Sequence, residues 1–374
     1  MKVGIIRGPF FNKWEMQTFE FVPELGINVV GIVPKEHFYN IQGIKFPIIE
    51  THQLSYLNKI PYLKLYIQKK LNLDYFLKGF NKIVKDMDLL HTAETYHIFT
   101  YQAIKSGKPT IVTIWENIPF NYHKKPFLKI IKSTFQNAKH FIAITNRAKE
   151  SLIIEGVSED KISVIPCGVN IQTFAPKTKN TKLLKLLNIP ENSKIILFIG
   201  RLVWEKGIYS LIYAFYKLLK SHKNLILIIV GNGTERTNIN NLVLKLGIHK
   251  NIRFLRNVAY EKTPDLYNIA DIMVVPSIPT HFWTEQFGFV FIEAMACGTP
   301  VISTWSGSIP EVVKHEYSGI LVPPMNFMKL ADAINRLLNE DLNIWSKNAR
   351  EYAINNFNSK KIAEKIVETY KKIV

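Results

Sequence analysis

Arg201 and Lys206 share one short stretch, Gly200–Arg201–Leu202–Val203–Trp204–Glu205–Lys206–Gly207. It follows an apolar run, Lys194–Ile199, and precedes a helical pattern. A glycine at position 200 lets the backbone turn sharply at a strand end. Both cations then project near the top of a sheet. Two cations there suit a diphosphate, which Arg binds bidentately while Lys adds a compact charge. The same residues also read as a solvated surface loop.

A second stretch runs Glu285–Gln286–Phe287–Gly288–Phe289–Val290–Phe291–Ile292–Glu293–Ala294–Met295–Ala296–Cys297–Gly298–Thr299–Pro300. The pattern predicts a helix from near Gly288 to Gly298, with Pro300 opening a strand. Gly288 lets a ligand approach the backbone, and the free N–H groups of the first helical turn form an anion site. Glu293 falls about one turn into this otherwise apolar helix, where a lone carboxylate is costly unless hydrogen-bonded. Ribose hydroxyls would satisfy it, and so would a neighbouring backbone donor. Glu285, ahead of the helix, is placed to accept hydrogen bonds from sugar hydroxyls.

Such groups need strands that end just before them. Short β-rich runs alternate with helical patterns along the chain: Lys2–Ile6, Asn28–Val33, Leu89–His91, Thr110–Ile114, His140–Thr145 and Lys161–Ile165, then Lys194–Ile199, Leu225–Val230, Asn251–Leu255, Asp271–Val275, Pro300–Ser303 and Gly319–Val322. Many are continuous apolar runs, as parallel strands buried on both faces require. Helical stretches such as Tyr209–Ser221 and Leu330–Asn339 lie between them, so the class is α/β with open sheets. A stretch rich in Thr, Lys and Asn around Pro176 reads as a linker. With 374 residues, two domains are expected, 1–170 and 171–357. Two doubly wound, Rossmann-like domains facing across a cleft would take ligands outside the carboxyl ends of their strands. Neither first strand is followed by a clean Gly-x-Gly-x-x-Gly, since Arg7–Gly8–Pro9 and Gly200–Arg201–Leu202 stand there, which weakens a dehydrogenase reading.

Glu285 and Glu293 together resemble the paired-glutamate motif of the retaining family-four glycosyltransferases, two-domain enzymes of the GT-B architecture. The following Ala-Met-Ala-Cys-Gly-Thr-Pro-Val-Ile run is similar to that family too. So are Arg201 with Lys206, Gly231–Asn232–Gly233, Ala270–Asp271 with Pro276–Ser277, Gly307–Ser308–Ile309–Pro310–Glu311, and the interdomain stretch Ile165–Pro166–Cys167–Gly168–Val169–Asn170. The resemblance is dense from about residue 140 to 325 and thin before that. It implies that Arg201 and Lys206 hold a donor diphosphate and stabilise it as it leaves. It implies that Glu293 binds the ribose and that Val258 lies against the base. Glu285 and the backbone N–H groups of Phe287, Gly288, Phe289 and Val290 would hold the sugar and distal phosphate. The implied reaction moves a hexose-type sugar from a nucleoside-diphosphate sugar to a hydroxyl of a glycan or lipid-linked acceptor. It keeps the anomeric configuration and needs no metal, because negative charge builds where Arg201, Lys206 and a helix N-terminus are already oriented. In this family the C-terminal helix, here 358–374, returns to the first domain.

The sequence departs from the family on the acceptor side. The family's usual His-Asp pair is replaced by Trp115–Glu116–Asn117–Ile118–Pro119, and the first loop, Gly8–Pro9–Phe10–Phe11–Asn12, lacks the common Gly-Gly pair. Glu116 is then a candidate to accept hydrogen bonds from the transferred sugar or to assist the acceptor hydroxyl, and Trp115 to stack on a sugar face; a structural role for both is the alternative. Gly8 and Asn12 complete the acceptor-side candidates. Asp86–Met87–Asp88 mimics the Asp-x-Asp metal motif of the other glycosyltransferase fold, but precedes a strand, the wrong end for a cleft. His91, His97 and His281 show no metal-ligand spacing; His281 and Trp283 are possible substrate contacts.

Hydrophobic residues form 47% of the chain, which excludes disordered, collagen and coiled-coil classes. No apolar run nears the ~18 residues of a membrane span. The start, Met1–Phe10, reads as a strand and turn without a signal-peptide cleavage site. Two cysteines, Cys167 and Cys297, make no disulfide framework and point to a cytoplasmic setting. The net charge of +18 leaves three readings: nucleic acid, an anionic membrane surface, or a Lys-rich composition that keeps the protein soluble. Between Glu116 and Glu150 stand Lys124, Lys125, Lys129, Lys132, Lys139, Arg147 and Lys149 with no acid. A second segment, Lys59–Lys82, interleaves lysines with Tyr62, Tyr66, Tyr75, Phe76 and Phe80. Both suit an anionic membrane interface, peripheral on the cytoplasmic face. Both lie in the first domain, away from the expected cleft, so no nucleic-acid partner is expected. The rival readings are a sugar-nucleotide epimerase or hydrolase of the same architecture, and a non-catalytic glycan- or nucleic-acid-binding protein.

Overall fold

Val, Ile and Leu fill the strand runs on both faces, and such strands need helices above and below them. The computed structural model of the chain describes residues 1–53 and 75–374. It divides into two compact units, Met1–Gly168 with Ser359–Val374, and Val169–Asn358.

In the first unit the described strands are β1 (Lys2–Ile6), β2 (Asn28–Pro34), β3 (Ile48–Thr51), β4 (Leu89–Ala93), β5 (Thr110–Ile114), β6 (His140–Ala143) and β7 (Ile162–Val164). They form a parallel sheet in the order β3-β2-β1-β4-β5-β6-β7. The edge strand β3, Ile-Ile-Glu-Thr, is not anticipated from the sequence: it is half-exposed and too short to show a period.

In the second unit β8 (Lys194–Ile199), β9 (Leu225–Val230), β10 (Ile252–Leu255), β11 (Ile272–Val274), β12 (Val301–Thr304) and β13 (Gly319–Val322) form a parallel sheet in the order β10-β9-β8-β11-β12-β13. Strand order reverses direction between β1 and β4 in one sheet and between β8 and β11 in the other. A crevice opens at the carboxyl ends of strands at such a switch point. The loops after β8 and β11 carry Arg201, Lys206 and Glu285.

Helices cover the sheets with one apolar face each. In Ile208–Leu218 the buried residues Ile208, Leu211, Ile212, Phe215 and Leu218 follow the helical repeat, while Tyr213 and Tyr216 are exposed. The chain ends in two helices, Leu342–Phe357 and Ser359–Ile373, parted at Asn358. The second buries Ile362, Ala363, Ile366, Val367 and Tyr370 in the core of the first unit, against Val3, Ile5, Met16, Phe19 and Val29. The Tyr370 hydroxyl lies 2.6 Å from Nδ1 of His91, whose Nε2 is 2.6 Å from Oγ1 of Thr113.

Candidate functional site

The loop after β8 is gripped by its neighbours. Leu202 N–H donates to the Asn232 carbonyl at 2.9 Å, and Glu235 N–H to the Leu202 carbonyl at 2.9 Å. A Cβ on Gly231 would fall 1.9 Å from the Gly200 carbonyl oxygen, and one on Gly207 would fall 1.9 Å from that of Pro276. These two glycines have φ of +137° and +69°. Gly200 does not: its φ is ordinary, and an added Cβ would touch only the Phe198 ring at 3.7 Å. The chain bends at Gly200 as expected, but without a left-handed φ. The chain leaves β8 without strain, and the close approaches fall at Gly207 and Gly231.

Within this loop Arg201 is 61% exposed at its side chain, with Nη2 3.6 Å from Glu205. Lys206, by contrast, is largely buried. Its Nζ donates to Oε2 of Glu285 at 2.6 Å and sits 4.9 Å over the Trp283 ring. Glu285 is buried, and Ser277 Oγ donates to the same oxygen at 2.8 Å. The Glu285 carbonyl accepts from Ser308 N–H at 2.8 Å, and a Cβ on Gly307 would fall 2.3 Å from it. The stretches Arg201–Lys206, Pro276–Ser277, Glu285 and Gly307–Ser308, far apart in sequence, are therefore one constellation around a buried Lys–Glu pair. His281, four residues earlier, is exposed.

The helix after Glu285 spans Phe289–Ala296 and is capped by Gly288 in the left-handed region, φ +83°. A Cβ at Gly288 would meet the Phe291 ring at 2.5 Å. Phe287 is buried, while Phe289 and Val290 are half-buried. Glu293 is 3% exposed. Its partners are phenols: Tyr260 donates to Oε1 at 2.8 Å and Tyr267 to Oε2 at 2.7 Å. Burial pushes the Glu293 carboxyl up to about 7, against the pull of the two phenols. Neither tyrosine was a sequence candidate. Val258 is half-buried in the loop after β10, two residues before Tyr260.

In the first unit, Gly8 has φ +54° and no room for a Cβ beside the Phe99 ring. Asn12 is a helix cap: its Oδ1 accepts from Glu15 N–H at 2.8 Å and its Nδ2 donates to the Phe10 carbonyl at 2.8 Å. Arg7, just before, is buried and ion-paired with Glu15. The N–H groups of Trp115 and Glu116 donate to Oε1 of Glu94 at 2.9 and 3.1 Å. The Glu116 carboxylate turns back on its own loop, with Oε1 accepting from Asn117 and Ile118 N–H and Oε2 from Asn121 Nδ2. Glu94, at the end of β4, is a buried carboxylate that the sequence reading missed. Its φ is +60°. Burial and the Glu116 charge raise its carboxyl to about 8. His97 is half-buried against Phe10, Phe99 and Tyr96, and desolvation there lowers it to about 3.

Asp88 precedes β4 and accepts from the Lys2 N–H at 2.7 Å, while Met87 is buried in the core. Among the described residues, no three His, Cys, Asp or Glu side chains gather as a metal would need. Both cysteines are free thiols. In the basic segment after Glu116, Lys124, Lys125, Lys129 and Lys132 are exposed, and Lys149 pairs with Glu159 at 2.6 Å. Of the other basic segment, residues 59–74 lie outside the described residues. No helix among the described residues is long and apolar enough to cross a membrane.

Residues 180–356 match the family described as Glycosyl transferases group 1, and residues 25–173 the one described as Glycosyltransferase Family 4. An uncharacterized glycosyltransferase of Methanocaldococcus jannaschii is 33% identical over 250 residues, 64% of this chain and 61% of that protein. A D-inositol 3-phosphate glycosyltransferase of Corynebacterium jeikeium is 36% identical over 220 residues, 56% of this chain and 51% of that protein. The matched region thus spans between half and about six-tenths of these curated relatives' length. Among solved structures, the sucrose-phosphate synthase of Thermosynechococcus elongatus is similar with a TM-score of 0.77 at 25% identity, covering 100% of this chain and 98% of that one.

Proposed function

The chain belongs to the group 1 glycosyltransferases of family-four type, with two parallel α/β units of the GT-B architecture, and on that premise we propose that its second unit binds a nucleoside-diphosphate sugar at the loops after β8 and β11. The observation that carries this reading is the Lys206–Glu285 pair. It joins two stretches 79 residues apart at the sheet's switch point, with Arg201 exposed on the same loop.

In the proposed reaction Arg201 and Lys206 hold the diphosphate and receive the negative charge that grows as the anomeric bond breaks. The half-buried first turn of Phe289–Ala296 supplies backbone N–H groups for the distal phosphate and sugar. Glu285 accepts from sugar hydroxyls. Glu293, holding two phenols that ribose hydroxyls can replace or join, binds the ribose, and Val258 borders the base. The sugar passes, with retained configuration and without a metal, to an acceptor hydroxyl on a glycan or lipid-linked molecule at the first unit. A phosphorylated polyol, the acceptor in the name of several relatives, is the contrasting candidate.

Thermal shift of the whole protein against uridine, guanosine and adenosine diphosphates and their sugars tests the donor reading. One nucleotide class stabilises the protein, and the stabilisation is largely lost in Arg201→Ala and Glu293→Ala. Unchanged binding in both variants refutes the assignment. The exposed lysines 124, 125, 129 and 132 support a second proposal, that the first unit docks on an anionic membrane surface. Flotation with anionic liposomes decides it: no binding at low salt ends the idea.

A further inference from the structure

Bulky side chains avoid the left-handed backbone region, where Cβ crowds the following carbonyl oxygen. Among the described residues five non-glycine positions have positive φ, and Phe120, at +61°, is the aromatic one. Glycine would stand there without strain. Phe120 lies in the loop after β5, where His123 N–H donates to its carbonyl at 3.0 Å and closes a tight turn. The Phe120 N–H donates to Oε1 of Glu155 at 2.7 Å, and Oε2 of the same carboxylate lies 3.3 Å from Nε2 of His123. The largely buried Glu155 thus clamps both ends of the turn. The clamped ring faces water: Phe120 is 51% exposed and meets the His123 ring edge to face, centroids 5.0 Å apart. Strain of this kind persists only where the surroundings over-determine it, and it gathers at working sites.

Glu155 also caps the helix Asn146–Ile154, whose last two residues, Ile153 and Ile154, are exposed, Ile154 by 58%. Three large apolar side chains therefore reach water around one inward carboxylate. The exposed Lys124 and Lys125 follow Phe120 directly beyond its turn, and Lys129 and Lys132 continue the series. Of the acids on this side, Glu155 is turned inward and Glu159 pairs with Lys149 at 2.6 Å, which leaves the exposed Glu150 against four lysines. An apolar tip beside a run of lysines matches an anionic bilayer: the apolar side chains enter the acyl boundary while the lysines meet headgroups. A second copy of the chain fits badly, since it brings the same lysines and a net charge of +18.

We propose that Phe120, with Ile153 and Ile154, is a wedge that enters an anionic lipid bilayer, so that the first unit is held by apolar insertion as well as by charge. The inference rests on the proposed docking of the first unit and names what it inserts. Attraction between lysines and headgroups is screened by salt, with a Debye length of about 3 Å at about 1 M, whereas apolar burial is not. The wedge therefore supplies the part of binding that lysines cannot, the part that survives high salt.

The test is flotation of the whole protein with vesicles of phosphatidylglycerol and phosphatidylcholine, at about 0.1 M and about 1 M salt. Phe120→Gly keeps every charge and suits the left-handed φ. It is expected to melt no lower than wild type and yet to bind vesicles roughly fivefold more weakly, or worse, at both salt concentrations. Replacing Lys124, Lys125, Lys129 and Lys132 by Ala should weaken only the low-salt binding. Phe120→Trp keeps the wedge and adds a reporter, whose emission, taken as the difference from wild type, should shift to the blue on vesicles. Undiminished binding by Phe120→Gly overturns the wedge, as does an unshifted emission from vesicle-bound Phe120→Trp. Wild-type binding that high salt abolishes overturns it too. Melting of Phe120→Gly well below wild type would make Phe120 a packing residue and has the same force. Failure of wild type to float at low salt defeats the docking itself, whereas docking that Phe120→Gly leaves intact refutes the wedge alone, so the two failures are distinguishable.

Discussion

Glu293→Gln should make the second unit more stable at alkaline pH while it disables nucleotide binding. The Glu293 carboxyl is raised from its ordinary 4.5 to about 7, chiefly by burial. A raised carboxyl means the folded state holds its proton more tightly than the unfolded state does. Stability from this group is therefore fully present below pH 4.5 and is lost as pH rises through 7. At about 1.36 kcal/mol per pH unit, the cost of ionising it in the fold approaches about 3 kcal/mol at pH 8. Gln fills the same space. Its oxygen accepts from one phenol and its NH2 donates to the other, so the bonds to Tyr260 and Tyr267 have counterparts. Without the ionisation cost, Glu293→Gln should melt roughly 6–12 °C above wild type at pH 8, taking about 2–4 °C per kcal/mol for a unit of this size. The gap should narrow to about 2–3 °C at pH 5 and close only below pH 4.5. Circular dichroism melts from pH 5 to 8.5 measure it, and the nucleotide-induced shift on the same samples reports binding. A gap independent of pH, or a variant less stable than wild type at pH 8, refutes the reasoning.

Other outcomes follow from the same geometry. Lys206→Met should cost about 3 kcal/mol, since it strands the buried Glu285 carboxylate, and Glu285→Gln less, since an amide oxygen still accepts from the half-buried Lys206. The double variant should recover about 2 kcal/mol of the sum in urea unfolding. Gly207→Ala, with φ +69° and the Pro276 carbonyl in the way, should lose more than about 3 kcal/mol. Gly247→Ala, with φ +70° and open space, should lose only about 1 kcal/mol in the same assay. Arg201→Ala should leave stability within about 0.5 kcal/mol, its side chain being mostly exposed, yet weaken nucleotide binding about 10- to 100-fold by calorimetry.

The two sheets are legible in the sequence because parallel strands are apolar on both faces, and β8 and β9 read as unbroken runs of Ile and Leu. The half-exposed edge strand β3 offers no such run. Arg201, Lys206 and Glu285 are legible as candidates because each stands just past a strand or its loop. Their convergence is not legible, being a matter of how the loops after β8 and β11 pack. The same limit hides Tyr260 and Tyr267 as the partners of Glu293, and Glu94, whose partners lie 21 to 22 residues away at Trp115 and Glu116. Glycine misleads for a related reason: which of Gly200, Gly207 and Gly231 needs to be glycine depends on a carbonyl supplied from another loop.

The helix Ser359–Ile373 has a consequence for the order in which the protein can be made. Its apolar side fills the core beneath β1 and β2, and Tyr370 closes on His91. A ribosome delivers that plug some two hundred residues after the rest of the first unit's chain, Met1–Gly168. The second unit, by contrast, is continuous from Val169 to Asn358 and is complete before the plug exists. Synthesis therefore inverts the usual N-terminal-first sequence of domain folding. Until that helix has emerged, Val3, Ile5, Phe19 and Val29 lack the apolar side that covers them in the folded unit.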